Sequence, residues 1–371
     1  MEQQLLPYFT IFIASLATTA IITPPISKLA RHHNIVDHPG LHKTHHEAKP
    51  LLGGLAIFLS IVLIMIIYSS FSGKLMVVLA GALVLVGVGL MDDIIDLKPP
   101  FKLSGQIAAA SIVVYFNATR YHVILDLFER YNIPGFVALI LIAGWIVLMI
   151  NAINLIDGLD GLAAGTAAVI FAAMAAISFI NSGSADMLGL KVVAFGASLG
   201  FLLFNYSPAR IFMGDTGSML LGYLLATTYL LSLNGSFSGS LVLGSIFIFA
   251  YPALDVSFAI FRRLRSRTSI FRADKAHIHH ILISLGLSVR QVVCLIYLLN
   301  VTFALMAVVM LSARLSAFTV AAVGFFTVVS AFYIFSYLSK ISKANGLHPV
   351  NELEELLVEQ RDPTPSKSVS S

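Results

Sequence analysis

Charged residues are scarce in this sequence, and cysteine is almost absent. Only 11% of the 371 residues are charged, whereas 58% are apolar. A typical soluble domain carries about 25% charged residues, so this composition excludes an ordinary soluble protein. Cys294 is the single cysteine, which excludes an intramolecular disulfide and a thiolate metal cluster. The net charge of +4 is too small to indicate a nucleic-acid partner.

Long apolar runs, separated by short polar gaps, fill most of the chain. Because a membrane-spanning helix needs about 20 apolar residues, we predict an all-α, polytopic integral membrane protein with about 11 transmembrane helices. The predicted spans are 5–22, 50–70, 75–91, 103–117, 136–151, 162–180, 188–204, 214–232, 239–260, 290–311 and 315–338. They form one transmembrane domain over residues 1–343. The tail of residues 344–371, which contains prolines and serines, is predicted to be largely disordered.

Lysine and arginine are distributed unequally between the two sets of loops that these spans define. Of the 23 Lys and Arg residues, 18 fall on one side and 5 on the other. The positive-inside rule places the richer side in the cytoplasm, so the amino terminus is predicted to lie outside and the tail inside. Only Lys and Arg were used to assign the two sides of the membrane. Nearly all residues with catalytic potential nevertheless fall on the predicted cytoplasmic side.

Three carboxylates stand at the cytoplasmic end of the third predicted span. Asp92 and Asp93 are adjacent, and Asp96 follows about one helical turn later. Such a negative edge suits a hard divalent cation or contact with a phosphate-bearing substrate. The alternative is an acidic helix end that is solvated by headgroup water. Acids at the carboxyl end of a helix oppose its dipole, which favours a compensating cation or a function.

A second polar run follows the fifth predicted span. Asn151, Asn154, Asp157 and Asp160 recur at every third residue, so a helical or tight-turn path would place several of them on one face. The two glycines of this run allow the backbone to approach a ligand closely. The alternative is an ordinary polar loop, for which such regular spacing between two apolar spans is unusual.

The eighth predicted span opens with the run Phe212-Met213-Gly214-Asp215-Thr216-Gly217-Ser218. Backbone amides at a helix start, together with small residues and a hydroxyl group, suit phosphate oxygens. Asp215 is a candidate ligand for a cation that bridges to such oxygens. The alternative is that Asp215 only caps the helix, which is a common arrangement at helix starts.

The longest predicted cytoplasmic loop combines arginines with histidines. Its arginines, among them Arg267 and Arg272, suit contacts with anionic lipid headgroups. His277, His279 and His280 occupy three of four consecutive positions, and imidazoles in this setting can donate to pyrophosphate oxygens or sugar hydroxyls. A zinc site is disfavoured, because the sequence provides no second spaced set of His or Cys ligands.

In this order, the four segments resemble the polyprenyl-phosphate N-acetylhexosamine-1-phosphate transferase family over almost the whole predicted membrane domain. The matching motifs are the Asp92-Asp93 pair, the run from Asn154 to Gly161, the run from Gly214 to Ser218, and the His-Ile-His-His segment. The arginine-rich loop that ends in this segment is similar to the WecA branch, whereas three consecutive histidines are typical of the MraY branch. A muramyl-pentapeptide donor is therefore the less favoured alternative.

The resemblance implies a metal-dependent transferase with UDP-N-acetylglucosamine as donor and undecaprenyl phosphate as acceptor. The products would be UMP and undecaprenyl-pyrophosphoryl-N-acetylglucosamine, which initiates O-antigen, enterobacterial common antigen or a similar cell-surface glycan. The implied location is the lipid bilayer of the bacterial inner membrane, with the active site facing the cytoplasm. No nucleic acid is expected as a partner, and a homodimer is an open alternative to a monomer.

The resemblance also implies roles for individual residues. Asp215, helped by Asn154 or Asp157, is expected to hold Mg²⁺ or Mn²⁺. Catalytic roles are expected for Asp92, Asp93, Asp157, His279 and His280. Asp92 and Asp93 would orient the acceptor phosphate. Contacts with substrate are expected for Asn154, Asp160, Phe212, Arg267, Arg272 and His277. Phe212 would stack on the uracil, near Asp160.

A secondary transporter is the main rival from another functional class, since acids within a membrane also mark ion pathways. Asp255, inside the ninth predicted span, suits either such a pathway or a local pair. Transporters place charges near the bilayer midplane between two related halves, whereas here the acids cluster at one rim and no internal repeat is visible. A transferase is therefore favoured over a transporter. Within the transferases, another UDP-N-acetylhexosamine is an alternative donor.

Overall fold

A computed structural model describes residues 2–38, 47–68, 72–117, 121, 125, 128, 132–181, 184–232, 247–265, 277–313 and 315–344. Within these residues the chain is almost wholly helical, which confirms the predicted all-α fold. The helices are α1 (Glu2–His32), α2 (Gly53–Tyr68), α3 (Gly73–Ile95), α4 (Pro99–Phe116), α5 (Gly135–Ile156), α6 (Leu162–Ile180), α7 (Ala185–Asn205), α8 (Gly214–Leu230), α9 (Ala250–Arg265), α10 (Ile278–Ser284), α11 (Val289–Ser312) and α12 (Ala317–Ala344). Two short strands, β1 (Val36–Asp37) and β2 (Lys49–Pro50), pair antiparallel between α1 and α2.

Each predicted span overlaps one of these helices, although the first residues of span 239–260 lie outside the described residues. In the described part of the chain, seven helices are long and apolar enough to cross a membrane, namely α1, α3, α5, α6, α7, α11 and α12. The protein is therefore a multi-pass membrane protein. The number of spans, about 11, stays a prediction. The described residues end at Ala344, so the tail that is predicted to be disordered lies outside them.

Large apolar side chains cover the outside of the bundle. Examples are Phe9 and Ile21 on α1 and Phe318, Phe325 and Phe326 on α12, all of which are exposed. A soluble monomer rarely exposes so much contiguous apolar surface. In a bilayer the same side chains contact lipid, while the helices satisfy their own backbone hydrogen bonds.

α8 is the central helix of the bundle. Its side chains are buried continuously from Thr216 to Thr228, and it packs against α2, α3, α5, α6 and α7. Thr227 and Thr228 donate their hydroxyl groups to carbonyl oxygens one turn earlier in the same helix, so these polar groups are satisfied inside the bundle. Because α8 is surrounded by protein, it needs no lipid-facing apolar stripe.

Glycines bring α2 and α3 into backbone contact with the start of α8. A methyl group on Gly54 would lie 2.1 Å from the amide nitrogen of Gly217, and one on Gly89 would lie 2.4 Å from Cα of Thr216. Helices in lipid lack a hydrophobic driving force toward one another, so close packing between small residues is a main source of their association. The N-terminal end of α8 is thereby fixed against α2 and α3.

The segment before α8 is held by backbone hydrogen bonds to β2 and α2. Phe212 donates its amide to the carbonyl of Pro50 at 2.8 Å and accepts the amide of Gly53 at 3.0 Å, while Met213 accepts the amide of Gly54 at 2.8 Å. These bonds start α8 beside the N-terminus of α2. The carboxyl ends of α3 and α5 lie next to the same point, so the polar ends of four helices meet at one end of the bundle.

The contact between Gly54 and α8 can be tested by adding one methyl group. Gly54→Ala should lower the free energy of unfolding by about 1–3 kcal/mol, because the methyl group would overlap backbone atoms that cannot move independently. The measurement is the midpoint of thermal unfolding of the purified protein in detergent. Gly87→Ala is the matched control, since a methyl group there meets no atom within 4 Å. An unchanged midpoint in Gly54→Ala would contradict the described packing.

Candidate active site

Asp93, near the carboxyl end of α3, binds the first residues of α8. Its Oδ1 accepts the amide of Asp215 at 2.8 Å, and its Oδ2 accepts the amide and the hydroxyl of Thr216 at 3.2 and 2.6 Å. The first amides of a helix have no partner inside the helix, and the helix dipole favours a carboxylate there. Gly214 has a φ of +69°, and a Cβ at this position would lie 2.5 Å from Oδ2 of Asp93. This close approach therefore requires glycine.

Asp92, although adjacent in sequence, has different partners. Its Oδ1 accepts the amide of Leu97 at 2.8 Å, and its Oδ2 lies 2.6 Å from Nζ of Lys102. Lys102 Nζ also lies 2.8 Å from Oδ2 of Asp215 and so links α4 to both α3 and α8. Asp92 is only 8% exposed. The alternative of a solvated acidic helix end is therefore wrong for this residue.

Asp215 receives donors on both carboxylate oxygens. Lys102 contacts Oδ2, and Asn154 at the end of α5 donates to Oδ1 at 3.1 Å. The Nδ2 of Asn154 also lies 2.9 Å from the hydroxyl oxygen of Ser218, one turn further along α8. The amides at the start of α8 are bound by Asp93, and the side chain of Asp215 points to Lys102 and Asn154. The alternative that Asp215 serves only as the helix cap is therefore wrong.

Asp92, Asp93 and Asp215, hereafter the acidic group, could hold a metal ion. One carboxylate oxygen of each residue lies within 4.8 Å of the corresponding oxygens of the other two. Carboxylate oxygens are the ligands that hard divalent cations prefer. The ammonium group of Lys102 lies between two of the three carboxylates, which shows that a cation is attracted to this position. The residues present therefore fit a divalent cation.

The loop between α5 and α6 places two further acids beside this group. Asp160 accepts the amide of Ala209 at 2.9 Å, which ties the loop to the segment after α7. Burial raises the pKa of Asp157 well above its usual range, and the negative charges of Asp215 and Asp93 raise it further. Asp157 is thus electrostatically coupled to the acidic group, although it is not one of the three clustered carboxylates.

Asp255 of α9 anchors the histidine segment. Its Oδ2 lies 2.7 Å from Nδ1 of His277, and its Oδ1 accepts the amide of Ile278 at 2.8 Å. Asp255 is fully buried and His277 is 3% exposed. The interpretation of Asp255 as half of a local pair is therefore confirmed. A carboxylate inside a membrane bundle is costly without such partners, so the pair fixes the start of α10 against α9.

His279 is buried beside the loop that follows α5. Its ring is nearly parallel to that of His277, with centroids 5.7 Å apart, and lies 4.3 Å from the ring of His280. A methyl group on Gly158 would lie 2.8 Å from Nε2 of His279. Burial lowers the pKa of His279 to about 3. Both ring nitrogens lack a hydrogen-bond partner among the described residues, so a neutral imidazole is available to a ligand.

The structure brings most of the residues predicted from the sequence to one end of the bundle. Asn154 joins the acidic group through Asp215, and His279 lies against Gly158, the neighbour of Asp157. Phe212 lies in the segment that leads into α8. Arg267 and Arg272 lie outside the described residues.

Two residues of this site were missed by sequence reasoning. Lys102 entered only the count of basic residues, and Thr216 was named only as a member of the run from Phe212 to Ser218. The signal for Lys102 is its position in the first turn of α4, which begins with Pro99-Pro100. A short turn between α3 and α4 returns the chain beside the end of α3, which brings an early residue of α4 near Asp92.

Comparison with known proteins places this site in a family. The sequence model of glycosyl transferase family 4 matches residues 75–233. This range begins within α3 and ends just beyond α8, so it contains the whole acidic group together with Asn154 and the loop from Asp157 to Gly161.

Relatives of similar length match most of the chain. A protein of Bacillus subtilis named probable undecaprenyl-phosphate N-acetylglucosaminyl 1-phosphate transferase is 36% identical over 85% of this chain and 88% of its own length. The decaprenyl-phosphate N-acetylglucosaminephosphotransferase of Mycobacterium tuberculosis H37Rv is 34% identical over 76% of this chain and 78% of its own. The undecaprenyl-phosphate alpha-N-acetylglucosaminyl 1-phosphate transferase of Escherichia coli K12 is 29% identical over 84% and 86%.

The buried imidazole of His279 predicts a defined sensitivity to acid. An unfolded histidine titrates with a pKa of about 6.5, whereas the folded ring titrates near pH 3. Between these values the unfolded chain binds more protons, so the stability due to this residue is complete above about pH 6.5 and falls as the pH decreases. At about pH 5 the loss should reach about 2 kcal/mol relative to neutral pH.

His279→Phe should remove this loss, because the ring is replaced by an apolar one that does not titrate. The measurement is the thermal unfolding midpoint in detergent at the two pH values. His33→Phe, which changes an exposed ring at the end of α1, should retain the acid sensitivity of the unmodified protein. Equal acid sensitivity in His279→Phe and the unmodified protein would show that the ring titrates normally.

Proposed function

The chain belongs to glycosyl transferase family 4, and we propose that it transfers N-acetylglucosamine-1-phosphate from UDP-N-acetylglucosamine to undecaprenyl phosphate. UMP leaves, and undecaprenyl-pyrophosphoryl-N-acetylglucosamine is formed. The observation that carries this proposal is the position of the acidic group, which lies at the N-terminus of the central helix and at one end of an apolar bundle. The relatives described above are named for transfers of this kind.

The position of the site suits the two substrates. A water-soluble nucleotide sugar and a lipid-linked phosphate must meet at a membrane surface, where both can be held in reacting geometry. Transfer of this type depends mainly on alignment and on neutralisation of phosphate charge. The polar ends of α3, α5 and α8 supply charged and hydrogen-bonding groups at such a surface, while the apolar outside of the bundle contacts lipid.

The two adjacent acids have different roles in this proposal. Asp93 is a positioning residue, because both of its oxygens bind the start of α8 and set the direction of Asp215. Asp92 faces Lys102 and Asp215 and is the acid of the pair that orients the acceptor phosphate. The earlier expectation gave both acids this orienting role.

A divalent cation, Mg²⁺ or Mn²⁺, completes the site in this proposal. Asp92 and Asp215 would hold the cation, and Asn154 would keep the Asp215 carboxylate in place. When bound, such a cation neutralises the charge that develops on the phosphate oxygens of the leaving nucleotide. The expected ligand Asp157 is not one of the clustered carboxylates, so its proposed place is beside the donor rather than on the cation.

The donor is proposed to lie between the loop after α5 and the histidine segment. The ring nitrogens of His279, which have no partner within the described part of the chain, suit the pyrophosphate or sugar, and His280 lies beside this ring. Asp160, in the loop after α5, and Phe212, in the segment before α8, are proposed to contact the uracil. His277 positions His279 through the parallel ring contact, since its own Nδ1 is bound to Asp255.

We propose that the protein lies in the bacterial inner membrane with this site on the cytoplasmic face. The support is the distribution of basic residues, since the predicted spans assign 18 of the 23 to the side of the acidic group and 5 to the opposite side. A UDP-sugar is a cytoplasmic metabolite class, so this orientation also gives the donor direct access to the site.

Release of UMP tests the reaction directly. Purified protein should release UMP from UDP-N-acetylglucosamine only when undecaprenyl phosphate and Mg²⁺ are both present. UDP-N-acetylgalactosamine and UDP-N-acetylmuramyl-pentapeptide, assayed side by side, should give much less product. Asp215→Asn should reduce the rate by about 10²–10³, because it removes one central charge of the site.

Asp96→Asn is the matched control for this experiment. Asp96 ends α3 with an exposed side chain and a φ of 52°, a conformation that asparagine accepts well. Its rate should stay close to that of the unmodified protein. A nearly normal rate in Asp215→Asn would refute the assigned site, and UMP release without the lipid phosphate would refute the assigned acceptor.

The proposed orientation predicts which end of the bundle faces outward. Two single-cysteine variants are made in a protein that carries Cys294→Ser. Lys98→Cys places its thiol near the acidic group, and Ala185→Cys places it at the start of α7, at the other end of the bundle. In intact cells a membrane-impermeant maleimide should label Ala185→Cys only. Lys98→Cys should react once the membrane is disrupted. Labelling of Lys98→Cys in intact cells would place the site outside the cytoplasm.

A further inference from the structure

Lys102 contacts one carboxylate oxygen of Asp92 and one of Asp215. Its Nζ lies 2.6 Å from Oδ2 of Asp92 and 2.8 Å from Oδ2 of Asp215. The other oxygen of Asp92 accepts a backbone amide, and the other oxygen of Asp215 accepts from Asn154. Both oxygens of Asp93 are bound to the start of α8.

In the proposed site, a divalent cation held by Asp92 and Asp215 takes these same two oxygens, since a backbone amide and Asn154 already bind the other two. Mg²⁺ binds its oxygen ligands at about 2.0–2.1 Å, so an ammonium group that stayed on both oxygens would lie within a few ångströms of the cation. Two positive charges at such a distance repel strongly in a partly buried site. The ammonium group and the cation therefore cannot share both oxygens.

The side chain of Lys102 is placed so that it can leave. Its side chain is 26% exposed, whereas that of Asp92 is 7% exposed. Lysine carries its charge at the end of a flexible, unbranched stem that can swing without any movement of the helix. Lys102 sits in the first turn of α4, so this swing needs no change in the packing of α3 against α8.

We propose that Lys102 is an intramolecular competitor of the divalent cation, and that the ammonium group and the cation occupy the two carboxylate oxygens in turn. This inference rests on the proposed function, which assigns the cation to the acidic group. Lys102 neutralises the buried carboxylates whenever the cation is away, and it weakens the affinity of the protein for the cation. The competition follows from shared oxygens rather than from any contact between Lys102 and a substrate.

The affinity for Mn²⁺ tests this competition. The full chain is purified in detergent, and free Mn²⁺ is followed by electron paramagnetic resonance during a titration. Lys102→Met should bind Mn²⁺ roughly tenfold more tightly than the unmodified protein, because no ion pair has to be broken. Lys98→Met removes the same charge from an exposed position next to the site, and its Mn²⁺ affinity should change by less than about twofold.

A second measurement uses the unmodified protein and does not depend on the folding of a variant. An amine-acylating reagent is applied with and without saturating Mg²⁺, and the modification of Lys102 is quantified by mass spectrometry. Mg²⁺ should speed the modification of Lys102 several-fold while leaving that of Lys98 unchanged. The rate at Lys98 in the same digest corrects for any direct effect of Mg²⁺ on the reagent.

The outcomes separate the competition from the proposed function. Unchanged or weaker Mn²⁺ binding by Lys102→Met, or a modification rate at Lys102 that ignores Mg²⁺, would overturn the competition even if UMP release is normal. Tighter Mn²⁺ binding by Lys102→Met together with faster modification would support it. If the same protein released no UMP from any donor, the proposed reaction would fail while the competition stood.

Discussion

The bond between the Asp93 carboxylate and the start of α8 is the interaction on which the active end of this protein depends. α8 is the buried centre of the bundle, and its first amides would otherwise lie without partners in an apolar surrounding. Asp93 binds two of these amides and the hydroxyl of Thr216. The contact sets the rotation of α8 about its axis, and this rotation determines where the carboxylate of Asp215 points. A change at Asp93 would therefore move the site without touching a substrate.

A second buried acid holds the other half of the site. Asp255 would be unfavourable inside the bundle without partners, and it binds both the ring of His277 and the first amide of α10. Both Asp93 and Asp255 therefore cap helices, although they come from different parts of the chain. Each cap brings a functional side chain toward the loop after α5. Asp93 positions Asp215 on α8, and Asp255 positions His279 on α10 through the ring of His277. The site is thus assembled by two carboxylates that bind the first amides of helices.

The sequence was sufficient to predict the helices, because a run of about 20 apolar residues in lipid has few alternatives to a helix. The positions of Lys and Arg also predicted that these polar segments share one side of the membrane, and Asp93, Asn154 and Asp215 do meet at one end of the bundle. Contacts between residues on different helices could not be predicted from the sequence. Asp255 and His277 are 22 residues apart in the sequence, so spacing alone gives no contact. Lys102 resembled an ordinary topology-determining charge until α4 was placed beside the end of α3.

The adjacency of Asp92 and Asp93 explains how one helix end can serve both structure and chemistry. Successive residues of an α-helix point about 100° apart, so the two neighbouring acids at the end of α3 bind different groups. Asp93 faces the amides of α8 and Asp92 faces Lys102. Asp215 contacts both partners. Its amide donates to Asp93, and its carboxylate contacts the ammonium group of Lys102, which also binds Asp92. Helix geometry therefore separates the carboxylate that binds the start of α8 from the carboxylate that binds Lys102.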